Sequence, residues 1–152
     1  MLWRMKKFFC AVVFALAFTF GSHAIDLNSK AWATLEKTDV ATLSKNFDAH
    51  IGRLVEVRCD FRGKDIHHLK PSWYEGSIWQ TAPGGEKGFA HVRVMISKSD
   101  LAAFKSLPTS GGGGGITLYG KVSRDSEAHF VFVRLLGNKA TVDSSGKATV
   151  TW

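Results

Sequence analysis

The sequence predicts a mainly β domain, a five-stranded Greek-key β-barrel with one helix before its first strand and another between strands three and four. Three observations predict it. "RLVEVRCDFR" (Arg53 to Arg62) and "HVRVMIS" (His91 to Ser97) alternate apolar and polar residues with the period of a half-buried strand. Spacings of three and four, the mark of a helix face, recur in only two short stretches. Glycine-rich runs and turns holding a single proline separate the remaining segments into strand lengths.

The chain opens with Arg4, Lys6 and Lys7, then an apolar run thirteen residues long from Phe8 to Phe20, broken only by Thr19, then "GSHA". A basic start, a short apolar run and the small-residue pattern Ser22-His23-Ala24 are the three parts of an export signal. A membrane-spanning helix needs about 20 apolar residues, so this run is read as a removable signal and not as an anchor. Residues 1–24 are therefore expected to be cleaved, leaving 25–152 as one exported domain, periplasmic or secreted, with no transmembrane segment. Cys10 falls inside the run, without the small-residue context of a lipidation site. Without the three basic residues the formal charge falls from +7 to +4, a balance that permits anionic partners without requiring them. Cys59 is then the remaining cysteine, which excludes an intramolecular disulfide, and the alternation around it points its thiol inward.

The first helix is predicted from Val40, Leu43, Phe47 and Ile51, with Thr38 or Asp39 as cap and Gly52 as stop. Upstream, "LNSKAWATLEK" reads as an extra helical turn or a frayed start. In the first strand Val55, Val57, Cys59 and Phe61 face inward, while Glu56, Arg58, Asp60 and Arg62 face out. "YEGSIWQ" reads as the second strand and "TAPGGEKG" as the turn after it. Val92, Val94 and Ile96 form the inner face of the third strand. "SKSDLAAFKSLP" is the second helix, with Ser99 as cap, Leu101 and Phe104 on one face, and Pro108 past its end. Gly111 to Gly115 form a connector rich in conformational entropy; no Gly-Lys-Ser/Thr follows, so it is not a phosphate loop. Ile116, Leu118, Gly120 and Val122 line the fourth strand. In the fifth, Phe130 and Phe132 alternate with Val131, Val133 and Leu135, one set being expected to pack beneath the N-terminal helix. The chain closes on a hairpin about Ser144-Ser145-Gly146.

This order of elements, over roughly Asp39 to Val142, resembles that of small exported bacterial OB-fold domains. The resemblance implies a ligand lying across strands two and three, gripped by the loops joining strands one to two and four to five. Here those loops are "GKDIHHLKPSW" and Arg124 to His129. The candidate ligand-binding residues are His67, His68, Lys70, Trp73, Tyr74 and Trp79, with Arg58, Arg62 and Arg93 on the outer face. His91 and Met95 share that face, and Tyr119 and Lys121 point outward farther off. Rings interleaved with basic groups stack bases or sugars while neutralising charge, so the expected partner is an oligosaccharide, a nucleic acid or an envelope protein. The competing reading makes Trp73, Tyr74 and Trp79 plugs for the barrel end, with Trp73, after Pro71-Ser72, the most surface-exposed.

Other chemistries find less support. His67 and His68 are adjacent on an extended segment and diverge, no Cys pair or H-E-x-x-H helix is present, and no metal or cofactor is expected. Asp60, Asp65 and Glu75 with Arg58 and Arg93 would suit a cation-dependent nuclease, but charged outer faces are usually solvated, and no G-x-S-x-G nucleophile motif occurs. The expectation is a non-catalytic binding domain. The alternative is an assembly module docking on another envelope protein.

Overall fold

The computed structural model describes residues 23–81, 88–110, 115–127 and 129–152. The stretch read as an export signal, apart from His23 and Ala24, lies outside the described residues, as do most of the "TAPGGEKG" turn and Gly111 to Gly114. Among the described residues, no helix is long and apolar enough to cross a membrane.

The fold is mainly β. Its strands are β1 (Ile25–Leu27), β2 (Glu36–Asp39), β3 (Leu54–Cys59), β4 (Phe61–Arg62), β5 (His67–Lys70), β6 (Trp73–Thr81), β7 (Phe89–Ser97), β8 (Ile116–Arg124), β9 (Val131–Gly137), β10 (Lys139–Val142) and β11 (Ala148–Thr151). Three short helices interrupt them: α1 (Ser29–Trp32), α2 (Val40–Lys45) and α3 (Leu101–Lys105). The large sheet runs β2-β3-β8-β9-β7-β6-β4 as an open path, with β5 added on β6; β1-β11-β10 form a small second sheet. The count thus exceeds five strands. Two extra strands appear near the N-terminus: β1 precedes the stretch read as helical, meeting it at Leu27, and β2 comes from its end, while β5 comes from the segment read as a loop.

A further difference lies at Asp60. Its amide donates to the Trp79 carbonyl at 2.8 Å and its carboxylate accepts from the Thr81 amide at 2.8 Å. That bend splits the predicted first strand in two. Before it, Val55, Val57 and Cys59 are buried as alternation requires. After it the parity is reversed: Phe61 lies opposite Trp79 and Arg62 opposite the buried Ile78. Phe61 is therefore outward and Arg62 is turned toward α3, the opposite of the strict alternation expected.

The main core joins Val55, Val57, Ile78, Val94, Ile96, Leu118, Val122 and Val133 with Val40 and Leu43 of α2 and Phe104 of α3. Asp39 caps α2 by accepting from the Thr42 amide at 2.7 Å. The helix is shorter than expected because Asn46 leaves helical geometry (φ −145°, ψ 51°), and Phe47–His50 continue as a 3-10 turn. Gly52 then ends the segment at φ +87°, a conformation suited to glycine. Asp100, with Ser97 donating to its carboxylate at 2.6 Å, stands at the cap position of α3 in place of Ser99. The C-terminal hairpin turns at Gly146, φ +81°, where the sequence predicts it. A second cluster holds Leu54, Leu136 and Val150, against which Ile25, Leu27, Trp32, Leu35 and Tyr119 pack.

Candidate functional site

The long strands β6 and β7 pair without a break from Trp73↔Ser97 to Thr81↔Phe89. Alternation therefore splits their residues between two faces. Gly76, Ile78, Val92, Val94 and Ile96 go to the core side. Trp73, Glu75, Ser77 and Trp79 go to the other, beside Phe89, His91, Arg93 and Met95. Strand β9 continues this outer face, since Met95 lies opposite Arg134.

The outer face is organised by ring contacts. His91 stacks on Trp79 at 4.5 Å between centroids, and Phe61 lies nearly parallel on Trp79's other flank, at 6.3 Å and 4°. Phe89 meets both edge-on. Trp79 is held upright by its indole N–H, which donates to Ser77 Oγ at 2.7 Å. Gly63 abuts the same pair: a Cβ there would collide with Ser77 Oγ and reach Trp79 Nε1 at 3.0 Å. Farther along, the Arg134 guanidinium covers Trp73 at 4.6 Å and that of Arg93 covers Phe130 at 4.8 Å. Guanidinium planes lying on rings keep their N–H edges directed sideways, where a polar ligand can meet them.

At least three grooves adjoin this surface among the described residues. One, of about 330 Å³, is lined by Asp48, His91, Arg93, Arg124, His129 and Phe130. A second, of about 320 Å³, lies between Phe61, Trp79, Phe89, Lys64 and Asp65. The third, about 250 Å³, is formed by Lys70, Trp73, Met95, Phe132 and Arg134 near Asp125.

Of the residues singled out from sequence, Trp73, Trp79 and Arg93 come together on this face. His67 and His68 are exposed on β5, opposite Glu75 and Tyr74, and His68 packs edge-on against the Tyr74 ring at 5.2 Å. Tyr74 itself lies on the Gly76 and Ile78 side of β6. Lys70 is engaged within the protein, donating to Asp125 at 2.8 Å and approaching Glu127 at 3.4 Å. The hydrogen bond to Asp125 raises the Lys70 ammonium above its ordinary value. This bridge ties together the two segments expected to grip a ligand.

Arg58 is exposed on β3, opposite Thr117 and separated from β9 by β8. Arg62 is spent on structure: it donates to the carbonyls of Leu107, Gly63 and Lys105 at 3.1, 3.0 and 2.8 Å, closing the C-terminal end of α3. Its place among the outward residues is corrected by the parity change at Asp60.

Four residues of the face go unnoticed in the sequence as site groups: Phe61, Phe89, Phe130 and Arg134. Phe89 was within reach, because the outer parity of His91 and Arg93 extends back to it. Compared with known proteins, the chain matches no family model and no curated sequence.

Proposed function

We propose that this chain is an exported, non-catalytic binding module of OB-fold type that holds its ligand across the outer face of β6, β7 and β9. The observation that carries the reading is the alignment of three ring-on-ring or cation-on-ring pairs along one face: His91 on Trp79, Arg93 on Phe130 and Arg134 on Trp73. Such a surface offers planar platforms with hydrogen-bond donors at their edges, suited to a chain of ring-bearing units.

The barrel element of the proposal rests on the run Leu54 to Arg62. Its first half pairs with β8 and its second with β6, so the two sides of the open path are linked covalently through Asp60. Export is supported by the position of β1, which starts at Ile25, next to the expected cleavage point after Ala24.

Titrating the purified protein at low salt with ring-bearing oligomers, while following tryptophan fluorescence, tests the reading. Saturable change that disappears in Trp79→Ala is expected; no change with neutral glycan, acidic glycan or single-stranded DNA sinks it. Phe89, 59% exposed, favours a second reading in which this face anchors on another envelope protein. In that case Phe89→Ala removes a protein partner and leaves oligomer binding absent.

A further inference from the structure

The 330 Å³ groove beside the stacked rings has a charge pattern that narrows the ligand. From β7 come His91 and Arg93, from the end of β8 Arg124, and from the β8–β9 connection His129 and Phe130; Asp48 of the 3-10 turn closes the far side. Two arginines and two histidines face one carboxylate in the lining. Both arginines nonetheless keep an acidic neighbour: Arg124 lies 3.4 Å from Asp48, and Arg93 3.5 Å from Glu75. The Arg124–Asp48 pair is open to water, at 48% and 71% exposed, whereas in the other pair Arg93 is 53% exposed and Glu75 25%. These are weak ion pairs that a ligand can join or replace.

A densely charged strand, with a phosphate on every unit, would set its charges against Asp48 and Glu75 as often as against the arginines. A sugar chain with occasional charge uses both kinds of group. Its anion takes the N–H edge of an arginine, its hydroxyls donate to the neighbouring carboxylate, and its ring face lies on an aromatic side chain. His91 belongs to the groove and stacks on Trp79, so the anion site and the ring platform are contiguous.

We propose that this groove binds the anionic substituent of an acidic oligosaccharide, a uronate carboxylate or a sulfate ester, while the adjoining sugar packs on the exposed Phe89 ring that Trp79 supports. The inference rests on the binding-module reading and specifies its ligand. Four probes at matched length test it: oligogalacturonate, a sulfated oligosaccharide, neutral chitohexaose and oligodeoxythymidylate. The two acidic sugars are expected to bind at least about tenfold more tightly than the neutral one, and less tightly as salt rises. Arg93→Gln and Arg124→Gln should each remove about tenfold of acidic-sugar affinity, the scale of one lost hydrogen bond to a charged group, and cost chitohexaose much less. Whichever acidic sugar binds better identifies the anion as carboxylate or sulfate. Tightest binding to oligodeoxythymidylate overturns the inference in favour of a nucleic acid. Equal binding of neutral and acidic sugars, lost in Trp79→Ala but not in Arg93→Gln, overturns it while sparing the module reading. If no probe binds, the module reading fails and this inference with it. Circular dichroism of each variant separates lost binding from lost fold.

Discussion

Trp32 and Trp79 invite comparison, because each stands with an aromatic neighbour on the side of the large sheet away from the main core. Trp32 lies 5.8 Å from Tyr119, a residue of β8. That pair is overlaid by the small sheet and joins Leu54, Leu136 and Val150 in a second core. Burial raises the Tyr119 hydroxyl above its ordinary value, as expected for a covered phenol. Trp79, with Phe61, Phe89 and His91, has no such layer among the described residues, and Phe89 remains well exposed. Outward aromatics thus mean different things according to what the rest of the chain supplies. Where the chain closes over them they stabilise the fold; where it leaves them open they are available to a partner.

The sharpest control on this contrast lies in the main core, apart from both tryptophans. Phe104 is fully buried between α3 and the sheet, and its ring contacts the position where a Gly76 side chain would be. Phe104→Ala is predicted to cost about 3–5 kcal/mol in denaturant unfolding, in proportion to the cavity it leaves. The direct comparison comes next. Trp32→Ala should lose about 2 kcal/mol of stability, because it opens the second core, and leave ligand affinity unchanged. Trp79→Ala should lose no more than about 1 kcal/mol yet abolish the fluorescence response to ligand. Similar stability losses for the two would show that the open face is also core.

A smaller effect is expected with pH. Hydrogen bonds from Lys147 and Thr149 hold the Asp26 carboxyl below its ordinary value of 3.8, and those from Ser145 do the same for Asp143. Both folded values lie below the unfolded one. The stability they contribute is therefore present above pH 3.8 and is lost as pH falls through the folded values. Amide exchange in β1, β10 and β11 should rise in that range before exchange in β6 and β7 does. The smallest effect is an absence of reaction. Burial pushes the Cys59 thiol up to about 12, so an aromatic disulfide reagent at pH 8 should leave it unmodified until the protein unfolds.

Much of the fold is legible in the sequence wherever one face is apolar and the other polar. Val55, Val57 and Cys59, Val92, Val94 and Ile96, and Leu118 and Val122 all go inward as their alternation predicts. Legibility fails where polarity does not alternate. Glu36–Asp39, "EKTD", carries no period-two signal and becomes a strand only because β3 offers a parallel edge. The helix expected to Ile51 breaks at Asn46, where conformation overrides a continuing apolar spacing. For the site, Trp73, Trp79 and Arg93 are readable from alternation and position in the strand order. Arg134 and Phe130 are not, since their importance arises from contacts with rings and grooves distant in sequence.

The bend at Asp60 has a consequence for how such chains vary. A corner made by one carboxylate bond and one backbone bond lets nine residues serve two walls whose inside and outside are exchanged. Removal of a single residue between Leu54 and Arg62 would not shorten a strand so much as put one wall inside out, placing either Val57 in water or Arg62 against its outer rings. The corner is thus a counting device, in which position along the chain is conserved by geometry even where side chains are free to differ.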